Sequence, residues 1–171
     1  MRLLAALTAA TAIGFAAPAD AASPEGHFVN YDDKTGEPRG VIELVRDADG
    51  RLQGYIRGTL VPQSGPDTCE VCEGELKDQP IIGLRILRDL QVKGENPNKW
   101  RRGRVTDPDT GATYKARMTF ADGFDTVELR GYVGTPALGR SQRWRRATAD
   151  DVAAANGFAE RYGFAPIPAP D

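Results

Sequence analysis

Between residues 112 and 120 apolar and polar side chains alternate with a period of two. Ala112, Tyr114, Ala116, Met118 and Phe120 fall on one side, Thr113, Lys115, Arg117 and Thr119 on the other. That period predicts an antiparallel strand with one face buried and one face wet. Ala121-Asp122-Gly123 then turns the chain into a second run, 124–132, where Val127, Leu129, Gly131 and Val133 share a face. A loop of Gly134-Thr135-Pro136-Ala137-Leu138-Gly139 leads to a third, 140–146. Together with the run that opens at Trp100, these segments read as a β-meander.

Upstream the same pattern recurs in shorter runs. Residues 26–31, 41–46 and 52–60 read as three strands, the last two joined by Asp47-Ala48-Asp49-Gly50, whose Asp-Gly pair favours a hairpin. Leu52, Gly54, Ile56, Gly58 and Leu60 share one face of the third strand, and glycines on an inward face bend a strand or leave room beside it. Leu84, Ile86, Leu90 and Val92 mark a fourth strand, although Leu87, Arg88 and Asp89 disturb its alternation. The total is eight short strands with mostly tight turns. The fold class is all-β: an eight-stranded antiparallel up-and-down barrel followed by a C-terminal helix. At that strand number the interior is either filled by side chains or holds one small ligand.

After Arg146 the pattern changes. Thr148-Ala149-Asp150-Asp151 has the form of a helix start, 152–162 would follow, and Gly163 is placed to stop it. Pro166, Pro168 and Pro170 make an extended tail. Domain organisation then falls into three parts: a signal peptide at 1–21, the β-barrel at 22–147, and the helix with its Pro-rich tail at 148–171. The first part rests on Arg2, an apolar run over 3–17 and the small-x-small sequence Ala19-Asp20-Ala21, a run too short to span a bilayer. The mature chain is expected to be periplasmic or secreted, with no membrane span.

Composition narrows the functional classes. With 24 acidic and 22 basic residues the net charge is −2, which removing 1–21 leaves unchanged. The chain as a whole is therefore a poor candidate for nucleic acid or for anionic membrane surfaces. The two cysteines, Cys69-Glu70-Val71-Cys72, sit in the long irregular connection after the third strand. In an oxidising compartment they are expected to form a small structural disulfide. Their acidic neighbours oppose the lowered thiolate pKa of a redox motif. A zinc site would lack ligands, since His27 is the single histidine, and no metal or cofactor is expected.

Strand parity locates the ends. The connections after strands one, three, five and seven share one end, the mouth, while Phe28, Trp100 and Trp144 gather at the other as an aromatic plug. At the mouth, Asp107-Pro108-Asp109-Thr110-Gly111 has the chemistry of a tight turn, with Asp capping its own backbone and Gly taking positive φ.

Spaced motifs from 26 to 146 give a family resemblance. They are Gly50-x-Leu52-x-Gly54-x-Ile56, Cys69-x-x-Cys72, Pro80-x-x-Gly83-Leu84, Trp100-x-x-Gly103, and Asp107-Pro108-x-x-Gly111-x-x-Tyr114. The run from Arg130-Gly131-Tyr132 to Leu138-Gly139-Arg140 and Trp144-x-Arg146 completes them. In these the chain resembles the bacterial exported family called domain of unknown function 2147. The resemblance implies a lipocalin-like barrel and brings no activity with it. Lipocalins pair a Gly-x-Trp on the first strand with an Arg on the last and add a helix; here Phe28 replaces the Trp, and Arg145 or Arg146 would be the partner.

The reading that follows is a non-enzymatic, exported binding protein for a small apolar or amphipathic ligand, such as a lipid. Its lining would come from Leu52, Ile56, Tyr114, Ala116, Met118, Val127 and Leu129. The ligand would sit between Tyr114 and Tyr132, with Arg140 for an anionic head group and Asp107 at the rim. Tyr132 points inward only if Gly131 hosts a bulge; otherwise Tyr114 is the single candidate, with Arg140 as its polar partner. The alternative is an interaction module that grips an envelope protein or the cell-wall polymer through its mouth loops. A hollow interior favours the first and a packed interior the second.

Overall fold

In a computed structural model, residues 22–61 and 66–163 are described. The expected signal peptide and the Pro-rich tail lie outside them. Eight antiparallel strands close in sequence order into one barrel. They are β1 (Gly26–Tyr31), β2 (Pro38–Arg46), β3 (Leu52–Thr59), β4 (Arg85–Lys93), β5 (Asn96–Thr106), β6 (Thr113–Ala121), β7 (Thr126–Tyr132) and β8 (Arg140–Arg146). A helix, α1 (Ala149–Ala159), follows and ends in a 3-10 turn before Gly163. No described helix is long and apolar enough to cross a membrane.

Each strand takes the inward face that its alternation dictates until a bulge intervenes. The pairing of β6 with β7 runs without interruption from Lys115↔Tyr132 to Ala121↔Thr126, so Ala116, Met118, Phe120, Val127 and Leu129 all point inward. In β4 the register with β3 slips twice, Leu52↔Leu90 being followed by Gly54↔Leu87 and Tyr55↔Arg85. A bulge places two residues opposite one and resets the face. That is why Leu87 and Leu90 are both fully buried although three apart, while Asp89 takes φ 59° between them. Gln53 fills the break: its Oε1 accepts from the Asp89 N–H at 3.1 Å, and its Nε2 donates to Asp47 at 2.7 Å.

The same device explains Trp100-x-x-Gly103. Arg102 has φ 65°, and the β5–β6 register shifts between Trp100 and Gly103, so both face the core. A Cβ on Gly103 would lie 2.5 Å from Leu90, which occupies that space instead.

A bulge also corrects one sequence expectation. Ile42 pairs with Ile56, yet Val41 pairs with Gly58, so Arg57 is the extra residue and Gly58 turns to the outer face. A Cβ there would meet Ala155 of α1 at 2.6 Å. The glycine makes room for the helix, not for a ligand. Val152 and Ala155 pack with Val29, Val41 and Ala147 in a second buried cluster on that outer face.

The helix is held by its first turn. Thr148 Oγ1 accepts from the Asp151 N–H at 3.3 Å, Asp151 Oδ2 accepts from the Thr148 N–H at 2.7 Å, and Arg145 grips the same carboxylate with two bonds of 2.6 and 2.9 Å. The Arg145 bonds, opposed by burial and aided by Thr148, hold the Asp151 carboxyl far below the usual aspartate range. A carboxyl with a lowered folded pKa stabilises fully above its unfolded value, near ~4, and loses that contribution as pH falls through the folded value. Because Arg145 is 38% exposed, screening reduces the effect to about 1–2 kcal/mol. Urea melts should therefore show Asp151→Asn costing stability at neutral pH and progressively less below pH ~4.

Candidate functional site

The interior is filled at one end and hollow at the other. Phe28, Leu44, Leu52, Leu87, Leu90, Trp100, Met118 and Phe120 belong to one buried cluster that packs the lower half. Phe28 meets Phe120 edge-on with ring centroids 6.0 Å apart, and Phe120 leans on Phe124 at 5.4 Å. Above them the inward row across three strands is Asn30, Gly40 and Thr59, and Gly131 faces in from β7. Small side chains there open a cavity that, together with the space between the mouth loops, measures about 1320 Å³. Ile42, Ile56, Ile86, Val105 and Leu129 form its walls and Trp144 lies at its floor.

The mouth is built as strand parity foretells. Residues from the connections after β1, β3, β5 and β7 all line the opening, among them Asp32, Val71, Asp107 and Leu138. The β5–β6 connection is a self-capped turn. Asp107 accepts from the Asp109 N–H at 2.9 Å and from Thr110 Oγ1 at 3.0 Å, while the Gly111 N–H donates to the Asp107 carbonyl at 2.8 Å. Gly111 has φ 72°, and a Cβ on it would lie 1.9 Å from the Val71 carbonyl oxygen. The β3–β4 loop therefore rests directly on this turn. Its disulfide joins Cys69 to Cys72, both buried, and Cys69 Sγ sits 3.5 Å from the Pro108 carbonyl oxygen.

The first hairpin repeats the design. Asp32 Oδ1 accepts from the backbone N–H groups of Lys34 and Thr35 at 2.8 and 2.9 Å. Those bonds, Thr35 first, hold its carboxyl below the usual range. Between the two hairpins, Arg39 of β2 reaches Asp109 with two bonds of 2.6 Å. Burial works against the Arg39 charge, but the Asp109 carboxylate outweighs it and the guanidinium pKa rises. This link across the mouth joins residues 70 apart in sequence, and no local pattern marks it.

Of the expected ligand residues, Tyr114, Tyr132, Arg140 and Asp107 all line the cavity, but unequally. Tyr114 points inward beside Val105. Tyr132 shares the outward face of Lys115, because no bulge at Gly131 turns it, so it reaches only the rim. With Tyr132 outward, Tyr114 is the tyrosine that remains for the interior, with Arg140 as the polar group beside it. Arg140 is exposed and pairs with inward Gly131 at the top of β8. Asp107 spends its carboxylate on its own turn. Gln142, one inward step below Arg140, was not foreseen; it accepts from Trp144 Nε1 at 3.0 Å. Among the expected lining residues, Ile56 and Leu129 join Tyr114, whereas Leu52, Ala116, Met118 and Val127 are packed below it.

The three aromatics of the expected plug share the main buried cluster but not one level. Phe28 and Trp100 are at the base, the indole N–H of Trp100 donating to the Pro97 carbonyl at 2.8 Å. Trp144 stands higher and forms the floor. The base is sealed by Arg146, inward on β8. Its guanidinium carbon stands 4.8 Å over the Phe28 ring, and it donates to the carbonyls of Ser23, Glu25 and Phe124 at 2.7, 3.1 and 3.0 Å. His27 lies apart, on the outer face of β1 with Nε2 3.6 Å from Glu43; burial, opposed by Glu43, lowers its pKa.

An eight-stranded closed barrel with one open, half-deep cavity, an Arg–aromatic seal at the base and a helix on its wall defines a lipocalin-like protein. The chain belongs to the bacterial family described as uncharacterized protein conserved in bacteria (DUF2147), whose model matches residues 26–146. Among solved structures it is similar to protein HP1028 of Helicobacter pylori, described as belonging to the lipocalin family. The TM-score is 0.63 at 16% identity, over 77% of this chain and 87% of that one. No curated protein matches the chain in sequence.

Proposed function

We propose that this protein binds a small apolar or amphipathic molecule in the upper half of the barrel and performs no chemistry on it. The observation that carries the reading is the cavity: apolar walls, a tryptophan floor, and polar groups gathered at the open end. An acyl chain would lie against Ile56, Val105 and Leu129. Tyr114 offers a ring to the chain and a hydroxyl to a head group, and Arg140 offers a charge to an anionic one. A hollow interior supports this over an interaction module, for which a packed interior is the expectation. The absence of catalysis is argued from the residues: the cysteines are joined, His27 is on the outer wall, and Asp107 is committed to a turn. Export to the periplasm or beyond belongs to the same proposal, supported by the leader pattern and the disulfide.

Displacement of a fluorescent fatty acid tests the site. Wild type should bind saturably, and Tyr114→Ala, its fold checked by circular dichroism, should bind about tenfold or more weakly. A wild-type protein that binds no such probe, or a folded variant that binds equally well, overturns the site.

A further inference from the structure

The charges of this chain are segregated in a way its net value conceals. On the β2–β4 side each arginine has an acidic partner: Arg39 with Asp109, Arg46 with Glu25, Arg51 with Asp89, Arg57 with Glu43, and Arg85 and Arg88 with Glu75. The opposite wall is different. Glu128 is the only acidic residue in β5 to β8. Lys99, Arg101, Arg104, Lys115, Arg117 and Arg143 are all exposed there. Register sets Arg104 beside Lys115, and Arg117 beside Arg130. Like charges on neighbouring strands repel, so an uncompensated wall of this kind costs stability unless something outside the chain balances it.

At the upper corner of that wall the β7–β8 connection holds apolar side chains in water. Leu138 is 82% exposed and Val133 69%, and both border the cavity opening. Leu138 is not loosely presented. Arg130 donates to the Pro136 and Ala137 carbonyls at 2.6 and 3.2 Å and to Ser141 Oγ at 2.9 Å, fixing the 3-10 turn Pro136–Leu138. An arginine is thus spent on holding a leucine out.

We propose that the β5–β8 wall docks on an anionic lipid surface, with Leu138 and Val133 inserting at the mouth corner and the basic side chains meeting the head groups. Basic clusters supply the attraction to anionic bilayers and exposed apolar residues the insertion. A hydrated polyanion would satisfy the charges but would have no use for the leucine, and this favours lipid. Asp32, Asp33 and Glu70 lie on connections outside this wall; on the β5–β6 turn within it, Asp107 is bonded into its own turn and Asp109 is paired with Arg39. Docking does not require the cavity to be occupied, so it stands or falls apart from the ligand proposal.

The experiment is co-sedimentation of the purified protein with vesicles of phosphatidylcholine containing phosphatidylglycerol, against phosphatidylcholine alone. Binding should need the anionic lipid and weaken with salt. The triple variant Arg104→Gln, Lys115→Gln, Arg117→Gln should lose on the order of 100-fold in affinity. Leu138→Asn should lose about tenfold on vesicles while keeping its retention by soluble dextran sulfate. All four positions are exposed, and urea melts confirm that the variants are folded. Equal binding to both vesicle types, or a triple variant that binds like wild type, overturns the proposal. So does a Leu138→Asn variant that binds vesicles unchanged, which would assign the wall to a soluble polyanion.

Discussion

Trp144→Ala should cost about 3–5 kcal/mol in urea melts, while Arg140→Ala, two inward positions up the same strand, should change stability by less than ~0.5 kcal/mol. The contrast follows from what each side chain separates. Trp144 is 1% exposed and divides the packed lower half of the barrel from the cavity above it. Removing it deletes a fully buried indole and leaves Gln142 Oε1 without the indole N–H. Neighbours cannot close the gap, because β7 and β8 are fixed by an unbroken register from Thr126↔Arg145 to Gly131↔Arg140. Arg140 has no such role, being exposed at the rim. Equal losses in the two variants would place the barrier between filled and hollow interior somewhere else.

Arg146→Ala should cost about 2–4 kcal/mol, by a different route. One guanidinium there serves three carbonyls from two chain segments and covers the face of Phe28. Charge-assisted bonds of this kind are each worth more than neutral ones, and the planar fork is what allows one side chain to make several. Arg146→Lys should recover only part of the loss, since an ammonium keeps the charge but cannot stack flat on the ring while reaching all three oxygens. Thermal melts decide this: an Arg146→Lys midpoint equal to that of wild type would mean that charge alone matters.

The architecture was legible in the sequence wherever alternation was clean. Tyr114, Ala116, Met118 and Phe120 announced β6 and its face, and strand parity was enough to collect the four elaborate loops at one end. It was less legible where a strand carries an extra residue. Leu87, Arg88 and Asp89 looked like a blurred strand because two register shifts bring Leu87 and Leu90 inward together. Gly58 looked like a gap in the lining because the bulge at Arg57 could not be seen, and α1 uses the space instead. The site was half legible for a related reason. An inward position can be read from periodicity, but its height in the barrel depends on strand tilt and stagger. Met118 and Tyr114 share a face, yet one is packed and the other borders the cavity. Arg39 and Asp109 were silent, since nothing local distinguishes a salt bridge formed across a barrel mouth.

The ring of eight strands also has a consequence in time. It closes through Phe28↔Arg146 and Val29↔Arg145, so the first strand waits for the last. In a chain made from its N-terminus, β1 to β7 can pair in order while both outer strands still show free N–H and C=O groups, the arrangement most prone to join other chains. Such long-range closure is slow compared with hairpin formation. Arg145 and Arg146 therefore arrive together at the decisive moment, one fastening the helix and the other capping the base. A chain that ends before Arg140 has no closed state to reach.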